Sequence, residues 1–170
     1  DEFQHPDDTH YWWSGMPEPK HFIMMPNTEH SCATGILELV PAIGTWITHL
    51  LTNTEVPEWD WEISEVTGEI VATLNNVGVV HEASVWYANS CGTNVDGQKR
   101  RDFRVANMDN PCSCGIFNIS YEGGCANLKS MWTREILEME MVHGKRTYRA
   151  VRPVRADGGW TAFFIDIVSI

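Results

Sequence analysis

The sequence predicts a chain of two classes, the C-terminal end of an α/β unit over residues 1–54 followed by an antiparallel β-sandwich over residues 55–170. Three observations predict it. Apolar residues between Ile36 and Leu51 recur at helical spacing, as on a helix with one buried stripe. From Trp59 onward they recur at every second position, the period of a half-buried strand. Between these signals and the N-terminus, residues 21–25 (HFIMM) form an apolar run without alternation, the pattern of a strand covered on both faces, as in parallel sheets.

Taken in order, Asp7 and Asp8 lead the aromatic cluster Tyr11-Trp12-Trp13, as carboxylates do at the positive end of a short helix, and Gly15 and Pro17 end it. The run 21–25 is bounded by Pro17 and Lys20 on one side and Pro26-Asn27 on the other, and reads as a buried strand. After the loop PNTEHSCATG, Ile36, Leu39, Val40, Ile43, Ile47, Leu50 and Leu51 mark a helix that Pro41 is expected to kink and that ends at Thr52-Asn53. A polar linker, residues 53–57, leads into Trp59, Trp61 and Ile63, which alternate with acidic and polar neighbours. Further strands are expected at 69–74, 79–88, 101–105, 130–140, 147–151 and 160–168, separated by turns such as Thr67-Gly68, Asp96-Gly97 and Asp157-Gly158-Gly159. Seven short strands in one stretch suggest a sandwich.

Composition bounds the partners. The 170 residues carry 12 Lys and Arg against 23 Asp and Glu, a formal charge of −11, and 43% hydrophobic residues with eight Trp and six Phe supply a core. A scattered, outnumbered set of cations cannot neutralise a phosphate backbone or an anionic lipid surface, so nucleic acid is not an expected partner. No apolar stretch approaches the roughly 18 residues of a membrane span; the terminal AFFIDIVSI is interrupted by Asp166. The chain starts at Asp1 without an initiator Met and holds five Cys, an odd number, which reads as a processed or truncated piece of a longer chain. Cys91, Cys112, Cys114 and Cys125 crowd into one stretch that also contains the glycosylation sequon Asn118-Ile119-Ser120. An oxidising compartment and a secreted, extracellular protein are the reading. Disulfides are expected among these four Cys, with connectivity open, and Cys32 is left unpaired or tied to another chain. A zinc site is disfavoured, because Cys112-Ser113-Cys114 is not the spacing of a structural zinc knuckle.

Other clusters have plainer readings. His5-Pro6-Asp7-Asp8-Thr9-His10 offers four metal-ligating side chains, but two carboxylates at a helix start bind its exposed N–H groups without an ion, so no metal and no cofactor is expected. Trp59 and Trp61 suit a carbohydrate platform, yet such alternation more often marks the core face of a sandwich. In Arg100-Arg101-Asp102-Phe103-Arg104 the alternating Arg residues are expected to form cross-strand ion pairs on a solvated face.

One arrangement points to chemistry. Helix, buried strand, His-bearing loop and helix follow one another as in the last units of an α/β-hydrolase sheet, where the acid precedes the penultimate helix and the His follows the final strand. Asp1 and His30 stand at those places. His30 would take the proton of a nucleophile hydroxyl, and Asp1 would accept the imidazole N–H and stabilise the imidazolium. No G-x-S-x-G elbow occurs; Ser14 and Ser31 lack the strand-to-helix context of a nucleophile.

The run DEF..PDD...WW...P.PKH....PNT.H, together with VWYANS, RRDFR and GGWTAFFIDI, closely resembles the C-terminal part of the PhoPQ-activated pathogenicity-related family, whose members include secreted autocrine proliferation repressors. The resemblance implies an α/β-hydrolase-like domain followed by an immunoglobulin-like sandwich, within a longer chain. It places Asp1 at the family's acid position and His30 at its histidine, with the nucleophile on a segment upstream. That upstream chain is the partner expected to complete the α/β domain and to cover residues 21–25. The other reading is a non-catalytic secreted signalling or adhesion protein, binding a protein or a carbohydrate through the sandwich.

Overall fold

The computed structural model describes residues 3, 5–18, 20–76, 79–94, 96–109, 114–115, 117–122, 124–128 and 130–169, and only the backbone at 106–109, 117, 124–125 and 127. Asp1 and Cys112 lie outside the described residues.

Short helical turns open the chain: a 3-10 turn Pro6–Asp8, helix α1 (Thr9–Trp12) and a second 3-10 turn Trp13–Gly15. Pro6 suits a first helical position because its missing N–H would have no partner there. The Asp8 carboxylate accepts the His5 N–H at 3.2 Å. Trp12, Trp13 and Phe22 then meet edge to face, with centroids 5.8 to 6.3 Å apart.

Residues 21–25 correct the expected strand. They lie in no ladder of this chain, and Phe22 and Ile23 are 50% and 44% exposed. Every ladder among the described residues is built from positions beyond 58, so this apolar run has no strand to pair with here. Helix α2 (Ile36–Thr52) runs unbroken through Pro41 and stops at Asn53, whose φ of 52° turns the chain left-handed while its N–H bonds the His49 carbonyl. An αL residue just past the last turn is a common helix stop, and Asn tolerates it. None of its residues is buried, and Ile36, Leu37, Val40, Ile43, Ile47, Leu50 and Leu51 are each at least 46% exposed. Trp46 is half-buried, its ring tilted against that of His21 with centroids 4.1 Å apart.

Beyond residue 58 the chain is antiparallel sheet. Strands β1 (Trp59–Ile63), β2 (Ile70–Leu74), β8 (Glu140–Val142) and β9 (Lys145–Ala150) form a four-stranded sheet in the order β1-β2-β9-β8. Strands β3 (Val80–Asn89), β7 (Thr133–Ile136) and β10 (Thr161–Ser169) form a second, in the order β10-β3-β7. A small third sheet, order β4-β6-β5, joins β4 (Ala106–Asp109), β5 (Phe117–Tyr121) and β6 (Gly124–Leu128).

Both faces of β3 are buried, which makes the second sheet a middle layer. Ala83 and Val85 point one way, toward the side where Arg152, just past β9, lies 3.9 Å over the Tyr87 ring. Ala72, Leu74, Tyr148 and Ala150 are the buried inner residues of the four-stranded sheet. Ser84, Trp86 and Ala88 point the other way, beside Phe164, Phe103 and Trp132. Asp166 shares this second face, opposite Ser84 in the register, and burial pushes its carboxyl up, with the nearby Trp86 indole and Arg134 guanidinium opposing. Arg134 is held there by Ser84 at 3.1 Å and by an ion pair with Glu82.

The differences from the expected strands have local causes. Residues 101–105 are not a strand, because Asp102 and Phe103 both turn inward, at 4% exposure each, and a strand cannot bury two consecutive side chains on one face. Residues 130–140 split into β7 and the start of β8, with Leu137 N–H donating to Ala83 O beyond the last paired residue of β7. Trp59 tilts against Tyr148 at 6.2 Å, but Trp61 is 58% exposed, because β1 is an edge strand. The expectation that both rings lie in the core fails for Trp61.

Candidate functional site

The loop between residues 25 and 36 is short, polar in sequence and fixed at several points. Asn27 adopts φ 59°, a conformation Asn tolerates better than other side-chain-bearing residues. Its side chain donates to Trp132 O at 2.9 Å and accepts from Trp132 N at 2.8 Å, fastening the loop to the strand region that precedes β7. Thr28 is buried at 6% exposure and packs on Gly35, where a Cβ would fall 2.6 Å from the Thr28 hydroxyl. Any larger residue at 35 would therefore push the two ends of the loop apart.

Between these anchors Glu29 gathers the chain. Its carboxylate accepts the Ala33 N–H at 2.8 Å, the Thr34 N–H at 3.2 Å, the Ser31 hydroxyl at 2.7 Å and the Thr34 hydroxyl. Its carbonyl accepts the Cys32 N–H at 2.9 Å, and Cys32 takes φ 59° to close the turn. The hydroxyl bonds from Thr34 and Ser31 hold the Glu29 carboxyl down at about 2, from an ordinary 4.5. His30 stands at the tip of this turn, exposed, with its ring edge-on to Phe3 at a centroid distance of 5.0 Å and its carbonyl accepting the Cys32 thiol at 3.7 Å.

Of the expected pair, then, His30 is an exposed imidazole on a rigid loop, and Asp1 falls outside the described residues. Ser31 donates to Glu29, and Ser14 is an exposed residue of the second 3-10 turn. Sequence reasoning passed over Glu29 and Asn27. A signal was present in the spacing, since a carboxylate followed by hydroxyl residues two and five positions later can bridge a turn.

Beneath the loop lies a buried charge cluster. Asp102 receives Arg104 through two bonds, Nε to Oδ1 at 2.9 Å and Nη2 to Oδ2 at 2.8 Å, with Arg100 at 3.5 Å and His5 Nδ1 at 3.9 Å. Arg101 turns outward to pair with Asp7 at 2.9 Å. These contacts replace the expected cross-strand pairs on a solvated face: the Arg residues converge on one buried carboxylate and on the N-terminal turns. A buried charge needs such partners to offset its lost hydration. A cavity of 290 Å³ lies between the N-terminal turns, the loop and this cluster, walled by Trp12, Met24, Met25, Phe103 and Trp132 among others. His30 is not on its wall.

The remaining site residues are dispersed. Cys91 is bonded to Cys114, Cα to Cα 6.0 Å, Cys32 carries a free thiol, and Cys125 lies in β6. Asn118 is exposed on β5. Among the described residues no group of three or more His, Cys, Asp or Glu is arranged to hold a metal ion, and no helix is long and apolar enough to cross a membrane.

Comparison with known proteins agrees with the motifs. The autocrine proliferation repressor protein A of Dictyostelium discoideum is 29% identical over 171 residues, a match that covers 86% of this chain and 33% of that protein. The chain thus spans about a third of the length of the curated relative it matches. No solved structure matches it. The model of the PhoPQ-activated pathogenicity-related proteins matches residues 1–104, which include the whole N-terminal region, the His30 loop and the Asp102 cluster, and the chain belongs to that family.

Proposed function

We propose that this chain is the C-terminal portion of a secreted α/β-hydrolase-like protein, in which His30 is the general base of a Ser-His-Asp type site. The observation that supports it is the presentation of His30: an exposed imidazole on a turn tied down by Glu29, Asn27 and the close contact of Thr28 with Gly35. A general base gains from such fixing, because catalysis by proton transfer depends on the base meeting its hydroxyl at hydrogen-bond distance. Asp1 is the acid in this reading. It accepts the second imidazole N–H, selects the tautomer and stabilises the cation once His30 has taken the nucleophile's proton. The nucleophile serine belongs to sequence beyond these 170 residues.

The same reading divides the chain into residues 1–54, the end of the hydrolase-like domain, and residues 55–170, an accessory immunoglobulin-like sandwich. Residues 21–25 and the exposed apolar side chains of α2 then meet the rest of the hydrolase-like domain, supplied by the same precursor. Exposed apolar area of this extent on one 17-residue helix suits an interface better than water. The disulfide between Cys91 and Cys114 and the exposed sequon at Asn118 suit an oxidising, glycosylating route to the outside of the cell.

A second reading rests on the relative. Its printed name is that of an autocrine proliferation repressor, so a signalling protein that keeps the fold and has lost catalysis is the alternative. Its partner, a protein or a carbohydrate, would meet the sandwich, where Trp61 is an exposed ring on an edge strand. A fluorophosphonate probe applied to the protein with its whole natural sequence separates the two: the hydrolase reading requires a labelled serine whose reactivity disappears in His30→Ala, and no such serine would leave the signalling reading.

A further inference from the structure

We propose that Glu29 is the positioning residue for His30, setting the direction of the imidazole through the turn on either side of it. The inference rests on the reading of His30 as a general base and adds a residue that the Ser-His-Asp scheme does not contain.

The geometry is one of a strap. The chain turns at His30, and the segment that leaves it is fastened to Glu29, the residue that enters it. On the entering side Glu29 is fixed by its neighbours, Asn27 clamped to Trp132 and Thr28 buried against Gly35. On the leaving side the Glu29 carboxylate and carbonyl hold Ser31, Cys32, Ala33 and Thr34. His30 is exposed at the tip of this turn, its ring edge-on to Phe3. Two side-chain hydroxyls and two amides on one carboxylate form a charge-assisted set, stronger and more directional than neutral hydrogen bonds.

The charge on Glu29 supports the same role. Because the carboxyl stays ionised down to about 2, Glu29 keeps the turn in one state at every pH at which an imidazole can be neutral and act as a base. Glutamine at this position keeps one acceptor oxygen and loses the charge and the second acceptor; alanine loses all four bonds.

The test uses the intact protein, with Glu29→Ala, Glu29→Gln and, as a control carboxylate in the first turn of α2, Glu38→Ala. Fluorophosphonate labelling should slow by about 10- to 100-fold in Glu29→Ala, by less in Glu29→Gln, and not at all in Glu38→Ala. The pH midpoint of labelling in Glu29→Gln should stay where it is in the parent protein. In NMR spectra the His30 ring protons should lose the shift that Phe3 imposes on them, and the Ala33 and Thr34 amides should exchange about tenfold faster. Labelling at the parent rate with an unmoved His30 signal would overturn the proposal. A lost acid limb in Glu29→Gln would overturn it too, because it would make Glu29 the base. If the parent protein does not label at all, the hydrolase reading fails, and the NMR measurement still decides whether Glu29 holds His30.

Discussion

Asn27 and Trp132 are 105 residues apart in sequence, and the Asn27 side chain completes both backbone hydrogen bonds of Trp132, at 2.8 and 2.9 Å. This pair fastens the His30 loop to the middle sheet. Asn27→Ala removes both bonds and places a Cβ-bearing residue without a polar side chain at φ 59°, so it should cost about 2 to 4 kcal/mol. Asn27→Gly keeps the backbone freedom and loses only the bonds. Denaturant unfolding of the two variants should rank Asn27→Gly as the milder; equal losses would assign the whole cost to the bonds.

Trp61 and Trp132 predict opposite outcomes for the same change. Trp132 is 7% exposed, in contact with Phe103 and Phe164, and Trp132→Ala should cost roughly 3 to 5 kcal/mol. Trp61 is 58% exposed at a sheet edge, and Trp61→Ala should cost under about 1 kcal/mol. Thermal unfolding of the two variants checks this, and a large loss from Trp61→Ala would mean that the ring is covered in the intact protein.

The disulfide closes a loop over a sequence separation of 23 that contains Arg100, Asp102 and Arg104. Cross-linking a loop of this length stabilises by roughly 3 kcal/mol through the entropy of the unfolded chain. Cys91→Ser with Cys114→Ser should lower the unfolding free energy by about that amount, measured in urea, and reduction of the parent protein should do the same.

Asp166 carries a sign that a surface carboxylate would not. Burial raises its folded-state pKa above the ordinary 3.8, so between the two values the folded protein binds more protons than the unfolded one. Stability therefore falls as pH rises through that interval. Asp166→Asn should remove this slope and raise the midpoint of thermal unfolding at neutral pH; a lower midpoint would show that the attraction of the Trp86 indole and the nearby Arg134 charge outweighs the burial.

Much of the antiparallel sheet region was legible because period two is a local signal: Trp59–Ile63, Ile70–Leu74 and Thr161–Ser169 sit within a residue or two of where alternation put them. Helix α2 was legible from its spacing and from Asn53 at its end. Residues 21–25 misled because an unbroken apolar run does not by itself report pairing, and among the described residues no strand pairs with it. Arg100 to Arg104 misled for a related reason. Alternating charge looks like a solvated strand until one carboxylate, Asp102, is buried and draws two of the Arg side chains to itself. At the candidate site, the place of His30 on a loop before α2 was legible from the helical spacing that begins at Ile36. Glu29 and Asn27 were not, because their role is to hold backbone groups whose positions exist only after folding.

The most direct test is fluorophosphonate labelling of the intact protein, followed by mass-spectrometric identification of the modified residue, in the parent sequence and in His30→Ala. The account predicts one labelled serine, on sequence outside these 170 residues, with labelling lost in His30→Ala while the unfolding midpoint is unchanged. A protein that folds and is not labelled, or one whose labelled serine reacts equally well without His30, would contradict it.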